Sequence, residues 1–370
     1  MKLKEHHYVP KFFLRRFSLQ SNGKTVGVFN VAKQQFIAHG PLKSQACKPY
    51  LYGEDGELET MLSRMEGLAA ELLRKMCDTS YVPTKGSDDW VTLLVFALTS
   101  DLRTLVNTNK MVTMMDQMHD FAFGDQVELP KNADELKLDH KEAPHIAMTL
   151  LKRAFFCCYD LRAVLLKNNT SYPFITCDNP LVKYNQYLEK RNKHGGTVGH
   201  AQIGLQLFMP LDPTTMLLLY DPWVYKVGGK GASLVTTINE QDVEALNLLS
   251  VVNCDKVLYF NQQATKESLN RLAIKATRYP GANIPVTVKY YADPASARKG
   301  STKFGLDKPT ELGDELLHSY MPPPRTNLTL SFISLTKQAR KLPPHVASFQ
   351  KRKSCALPDE ASGKPFVAEY

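Results

Sequence analysis

Apolar residues recur at helical spacing through ELETMLSRMEGLAAELLRKMC, where Leu58, Met61, Leu62, Met65, Leu68, Leu72, Leu73 and Met76 form one stripe. The spacing predicts an amphipathic helix, with Asp55 as its cap and Gly56 just before its start. A second helix is predicted from a cap at Ser87 or Asp88 through WVTLLVFALTSDLRTLVNTNKMVTMMDQMHD. Its first half is apolar nearly all round, the pattern of a helix buried on every side. A polar connector covers Phe121–Asp139, and EAPHIAMTLLKRAFF predicts a third helix with Pro144 in its first turn.

On either side of these helices the period is two. KTVGVFN and QQFIAHG predict short strands joined around Val31–Ala32–Lys33 as a hairpin. After the third helix, CYDLRAVLLK, PFITCD, GLQLFMP and TTMLLLYD read as strands separated by Asn, Gly and Pro clusters. NEQDVEALNLLSVVN predicts a helix capped by Asn239, KVLYFNQ a strand and KESLNRLAIKAT a last helix. The expected fold is α+β: a helical N-terminal half packed with a mainly antiparallel or mixed C-terminal sheet. Residues 1–290 read as one domain, with 1–155 mainly helical and 156–290 carrying the sheet.

From about Tyr291 the pattern fades. KGSTK, MPPPR, KLPPH and KRKSC bring proline and basic residues without sustained period. Residues 291–370 therefore read as a Pro-rich extension, partly disordered or accessory, in which ELGDELLHSY and LTLSFISL are the candidates for local elements. Its PPP and LPP runs either present polyproline II to a protein partner or serve as a linker.

Composition narrows the class. The 370 residues are 43% hydrophobic and 22% charged, a globular balance. Lys plus Arg number 46 against 37 Asp plus Glu, a net charge of +9. That surplus favours a polyanionic partner, nucleic acid or anionic lipid, although it is spread along the chain. No apolar run is long enough to span a bilayer, and the N-terminus has no apolar signal region, so the expectation is a cytoplasmic protein with no membrane partner. The seven cysteines are odd in number, hold no CxxC and form no framework, which suits reduced thiols. There is no GxGxxG after a strand, no GxxxxGK[ST], no GxSxG and no HExxH. These absences argue against dinucleotide enzymes, P-loop ATPases, α/β-hydrolases and zincins.

Candidate chemistry concentrates in three places. The chain opens MKLKEHHYVPKFFLRRFS, in which Pro10 keeps Val9 extended and aims the histidines. His7 has the side chain best suited to general-base work near neutral pH. HHxVP resembles the first element of His–Me finger nucleases, whose pattern then needs a helix bearing Asn or His. Here Asn30 and His39 fall on the predicted strands, and the first helix offers Glu59 and Glu66 instead. The other reading has KFFLRRF packing an arm onto the core, His7 bonding a backbone group, and Arg15 and Arg16 gripping an anion or pairing with acids. Second, FITCDNP ends a strand in Asp178, Asn179 and Pro180, either a turn or a carboxylate and amide that bind a metal. Third, Glu66 and Arg103 are charges in apolar surroundings. They read as an ion pair, structural or catalytic, or Arg103 faces a phosphate.

As a set, these pieces resemble a mostly bacterial, uncharacterised family, a domain of unknown function. Its members open with a motif close to HxYVPxFxLRxF, matched by His7, Tyr8, Val9, Pro10, Phe12, Leu14, Arg15 and Phe17. The resemblance continues through VGVFN, an aromatic near Tyr50–Tyr52, Glu66 in LSRMEG, the Leu102–Arg103 pair, Thr176–Pro180 in place of TSDNP, LFMPLDP and Leu246–Asn247, roughly residues 3–280. Cys177 stands where the family has serine, and Ser100 where it has glutamine.

The resemblance implies that His7, Glu66, Arg103, Asp178 and Asn179 belong to one design. Such a set fits phosphoester hydrolysis, with His7 as base, Glu66 and Asp178 on a divalent Mg²⁺ or Mn²⁺, and Arg103 on developing negative charge. The expected function is a metal- or histidine-dependent hydrolase, a nuclease serving defence against mobile elements. The alternative is a non-catalytic protein that binds nucleic acid or another protein.

Overall fold

The computed structural model describes residues 5–53, 56–123, 140–191, 197–281, 287–292, 315–320, 325–342, 352, 357–358 and 365–366. The chain starts with a short strand, β1 (Glu5–His7), and a one-turn helix, α1 (Lys11–Arg15). Pro10 makes the turn between them, its φ of −58° and ψ of 138° delivering the chain into the helix. Val9, Phe13, Leu14 and Phe17 are buried, and the Phe12 ring lies 5.6 Å from that of Phe96. The aromatic arm is thus packed into the core, which fixes where β1 sits.

The predicted hairpin forms as β2 (Thr25–Asn30) and β3 (Gln35–Pro41). Asn30 and His39 lie on these strands and not on a helix, so the finger pattern stays incomplete. Next, β4 (Cys47–Pro49) pairs antiparallel with β1 and sets His7 opposite Cys47.

Three of the four helices that follow were read from periodicity. In α2 (Glu57–Thr79) the buried stripe is Leu58, Leu62, Ala69, Leu72, Leu73 and Met76. Met61 and Leu68, expected on that stripe, are exposed. The expected cap Asp55 lies outside the described residues; Gly56, with φ of 78°, leads into the helix. Ser87 caps α3 (Asp88–Leu102) by accepting from the Trp90 N–H at 3.2 Å.

The single second helix expected from sequence is two, because α3 stops at Leu102 and α4 (Leu105–Phe123) starts afresh. Thr104 Oγ1 donates to the Asp101 carbonyl at 3.0 Å and Asn107 Nδ2 donates to it at 2.5 Å. Side chains that compete for backbone carbonyls end a helix in this way. The connector starts later than expected, since 121–123 are still helical and 124–139 lie outside the described residues. The third predicted helix is α5 (Ala143–Cys158), with Pro144 in its first turn.

The remaining elements are β5 (Arg162–Lys167), β6 (Thr176–Cys177), β7 (Val182–Tyr184), α6 (Gln186–Glu189), β8 (Gln206–Asp212), β9 (Thr215–Tyr220), β10 (Tyr225–Val227), β11 (Leu234–Val235), α7 (Glu240–Val252), β12 (Val257–Phe260), α8 (Lys266–Ala276), β13 (Thr287–Ala292), β14 (Glu315–Tyr320), β15 (Ile333–Leu335) and α9 (Lys337–Lys341). A five-stranded sheet runs β11-β5-β9-β8-β7, antiparallel except for the parallel β11–β5 edge. A four-stranded antiparallel sheet runs β3-β2-β12-β6. The N-terminal hairpin is therefore half of a sheet completed by strands more than a hundred residues away. The class is α+β with mixed sheets.

Both faces of the five-stranded sheet are covered, which is why its strands read as nearly unbroken apolar runs. Leu165, Leu207, Leu217 and Leu219 point into a core shared with α2, α3 and α5. Their neighbours Val164, Leu166, Phe208 and Leu218 point into a second core with Val243, Leu246 and Leu249 of α7. Each such side chain contributes about 1.5–3 kcal/mol when fully buried.

Part of the expected extension belongs to this second core. Leu328, Leu330 and Phe332 are buried there. The Tyr184 hydroxyl accepts from the N–H groups of Thr326 at 3.1 Å and Leu328 at 3.2 Å, and β15 pairs with β10. Most of the polyproline runs at 322–324 and 342–344 lies outside the described residues; only Leu342 is described. The six described cysteines are free, and no described helix is long and apolar enough to cross a membrane.

Candidate active site around His7

The β1–β4 pairing decides the fate of the two histidines. His6 turns inward, stacks on Tyr52 with ring centroids 5.6 Å apart, and accepts from the Tyr52 N–H at Nδ1, 3.0 Å away. His7 places Nδ1 3.0 Å from the Gln45 carbonyl. A carbonyl only accepts, so Nδ1 carries the proton and Nε2 keeps its lone pair. That Nε2 is buried and has no hydrogen-bond partner. Burial first, then the charge of Lys11, lowers the His7 pKa from 6.5 to about 4, against the opposing pull of the Gln45 carbonyl. At neutral pH His7 is an uncharged base of defined tautomer.

Below His7 lies Arg103, fully buried at the end of α3. Its Nη1 is 2.6 Å from Glu66 Oε1, its Nε donates to the Tyr52 hydroxyl at 3.2 Å, and its Nη2 donates to the His7 carbonyl. The expected Glu66–Arg103 pair exists, and its guanidinium holds the backbone that carries the base. Arg103 touches three groups of the protein, so its role here is to position β1 rather than to meet a phosphate.

Asp178 and Asn179 do different work. Asp178 Oδ1 accepts from the Asp255 N–H at 2.8 Å, and Oδ2 accepts from Lys256 at 2.8 Å and Val257 at 2.9 Å. Asn179 and Asn253 exchange amide-to-carbonyl bonds of 3.1 and 2.7 Å. The DNP turn thus locks the loop between α7 and β12. Burial pushes the Asp178 carboxyl up to about 6, with the three N–H donors pulling it down.

The five predicted residues therefore fall into two networks. His7, Glu66 and Arg103 share one; Asp178 and Asn179 share the other. Tyr8 stands between them, half-buried, its phenol pKa raised by burial and by the charges of Asp178 and Asp255. Glu66 and Asp178, the pair expected on a metal, are committed to Arg103 and to backbone N–H groups. Among the described residues no group of three or more His, Cys, Asp or Glu is placed to hold a metal ion. The donor set does not fit the expected cation. Arg16 is also committed, to the Leu211 carbonyl and to Asp212, both at 3.2 Å. Arg15 is exposed.

Three participants lie outside the expected site set, although Glu59 and Tyr52 stand out in the sequence. Lys11 sits one turn beyond His7 at the start of α1, and its charge reaches the imidazole. Tyr52 links both histidines' strand to Arg103. Glu59 has a buried Oε2 with no partner, and burial raises its pKa against the charge of Arg103. Its signal was available: Glu59 and Glu66 are seven residues apart and so share a helix face.

The family described as "Protein of unknown function (DUF4238)" matches residues 5–264. That span contains both networks and ends before the docked segment 325–342. No curated protein and no solved structure matches the chain.

Proposed function

The chain belongs to the DUF4238 family of proteins of unknown function, and from that premise we propose that it is a histidine-dependent phosphoester hydrolase, a nuclease, with His7 as general base. One observation carries this reading. The imidazole is oriented by a backbone carbonyl through Nδ1 while its buried Nε2 is left without a partner. A histidine needed only for packing has no use for that free lone pair, and leaving it unpaired costs stability.

The chemistry follows from the residues. His7 Nε2 takes the proton of the attacking hydroxyl as its oxygen bonds to phosphorus, the bond from phosphorus to the leaving oxygen breaks, and the imidazolium returns the proton to that oxygen. Lys11, beside the ring, and exposed Arg15 supply positive charge to the phosphoryl oxygens. Arg103, Glu66 and Tyr52 keep β1 in place. RNA is the substrate class this set suits best, because its own 2′-hydroxyl is the nucleophile and only a base and cations are required.

The test is cleavage of labelled single- and double-stranded RNA and DNA by the purified chain, with Mg²⁺, Mn²⁺ or chelator. His7→Asn is the informative variant: the asparagine amide keeps the bond to the Gln45 carbonyl and removes the base. RNA cleavage that survives chelator and falls by about a hundredfold or more in His7→Asn is the expected result. Cleavage unchanged in that variant overturns the assignment.

A second reading, a non-catalytic nucleic-acid-binding protein, is favoured by one fact: Arg103, Glu66, Asp178 and Asn179 are all engaged in internal bonds. Salt-sensitive RNA or DNA binding with no cleavage under any condition decides for it.

A further inference from the structure

A cavity of about 250 Å³ lies where the segment beyond the matched family span meets the domain. On the domain side it is lined by Lys190, at the end of α6, and by Tyr225 of β10. On the other side stand Ile333, Ser334 and Leu335 of β15 and Arg340 of α9. Both walls are fixed. Tyr225 is paired with Leu335 in the β10–β15 ladder. The Tyr187 hydroxyl of α6 donates to the Ala339 carbonyl of α9 at 2.9 Å, and the Thr336 hydroxyl donates to the Trp223 carbonyl at 2.7 Å.

The polar groups of the cavity are of two kinds. The inner ones are satisfied by the protein. The Tyr225 hydroxyl donates to the Gly204 carbonyl and accepts from the Tyr187 N–H, both at 2.9 Å. The amide of Gln186, also on the wall, donates to the Leu328 carbonyl at 2.9 Å and accepts from Gln206 at 2.8 Å. The outer ones are not satisfied. The side chains of Lys190, Ser334 and Arg340 form no hydrogen bond or ion pair among the described residues. Glu189 is the one acid in 186–191 and 337–341, and its carboxylate accepts from the Tyr184 hydroxyl and from the Asn327 N–H at 3.1 Å. Arg191, Lys337 and Lys341 flank the two cations in sequence and add charge of the same sign. A concave wall of one charge over an apolar floor concentrates its field on whatever enters.

We propose that this cavity binds a phosphate monoester, with Lys190, Arg340 and Ser334 holding the phosphate and the body of the ester lying on Ile333, Leu335 and the Tyr225 ring. The proposal does not rest on the His7 reading. Two cations without an acid suit a dianion, and a monoester carries about −1.5 to −2 at neutral pH, where a carboxylate or a phosphodiester carries a single negative charge. An arginine fork suits two phosphate oxygens, and a lysine suits a third as a point charge. A space of about 250 Å³ takes a small ester, or the phosphorylated end of a longer chain.

The experiment is a titration of the full chain with phenyl phosphate at constant ionic strength, balanced with chloride and followed by calorimetry. Saturable binding is expected, tighter than for inorganic phosphate, which lacks the body, and tighter than for benzoate, which lacks the second charge. Lys190→Met and Arg340→Met are each expected to weaken it about tenfold or more and to melt at the wild-type temperature, since neither side chain is bonded within the protein. Ser334→Trp, which fills the cavity and removes no charge, is expected to abolish binding, and His7→Asn to leave it unchanged. Competition by an oligonucleotide with a 5′-phosphate, and not by the same oligonucleotide with a 5′-hydroxyl, assigns the site to nucleic-acid ends; competition by neither assigns it to a small metabolite. Equal competition by both marks a backbone surface and overturns the proposal, as does no response to phenyl phosphate beyond chloride or an undiminished response in Lys190→Met and Arg340→Met.

Discussion

Arg103 Nη1 and Glu66 Oε1 lie 2.6 Å apart, joining α3 to α2 across 37 residues of sequence, with the arginine buried and the glutamate a quarter exposed. The asymmetry sets what each substitution does. Arg103→Met removes the donor from Glu66, the Tyr52 hydroxyl and the His7 carbonyl together. It is expected to cost about 3–5 kcal/mol. Glu66→Gln keeps an acceptor and loses charge at a partly solvated site, for about 1 kcal/mol. Urea unfolding of the two variants checks the ranking, and equal costs would show that the tie to β1 contributes little.

Asp178 is expected to act on a loop and not on chemistry. An asparagine there offers one accepting oxygen to three N–H groups and turns an amide toward the others. Asp178→Asn should cost about 2–3 kcal/mol. Hydrogen exchange should speed up first at the amides of Asp255, Lys256 and Val257. Activity per folded molecule should be unchanged; a selective loss of cleavage with normal exchange would return Asp178 to the catalytic set.

Much of this was legible in sequence because it is periodic. The cap at Ser87, the hairpin and the Asn239 cap follow from local rules and are observed, as is the α2 stripe apart from exposed Met61 and Leu68. The Glu66–Arg103 pair was legible because charges in apolar segments need partners. What could not be read is long-range. Nothing local says that β2 pairs with β12, or that the Asp178 carboxylate faces backbone N–H groups 77 to 79 residues away. The orienting partner of His7 is a carbonyl, which every residue possesses, so no residue type marks it. Thr104 and Asn107 do carry a helix-stop signal, but an apolar run on both sides masks it. Leu328, Leu330 and Phe332 alternate in LTLSFISL, which marks a local element, but nothing local says that this element docks on the second core.

Arg352 gives a prediction for a position far outside the matched family span. Its guanidinium Nε sits 3.0 and 2.9 Å from the two oxygens of Asp160, with further bonds to the carbonyls of Cys157, His200 and Gln202. Arg352→Ala is expected to cost about 3 kcal/mol, because a buried cation is taken from a buried carboxylate. Asp160→Asn with Arg352→Met should recover part of the loss. A chain ending at 342 should show the same destabilisation as Arg352→Ala; a smaller effect in either would mean that the anchor is not closed in solution.

The pH dependence of stability isolates His7. Its folded pKa of about 4 lies below the ordinary 6.5, so between those values the unfolded chain binds the proton and the folded chain does not. Stability from this group is therefore complete above pH 6.5 and is lost as pH falls toward 4. The span corresponds to about 3 kcal/mol in full, and to about 1–2 kcal/mol once solvent reaching part of the ring is allowed for. Asp178 works in the opposite sense. Its carboxyl, raised to about 6, retains a proton in the folded chain over part of the same window and adds stability as pH falls through 6. A single stability curve would mix the two. The difference between wild type and His7→Asn removes Asp178, which both proteins contain. Unfolding both by urea from pH 7.5 to 4.5 should show the wild-type advantage level above about pH 6.5 and shrinking below it. A difference that does not change with pH would mean that His7 titrates alike in the folded and unfolded chains, so that burial does not hold its ring neutral.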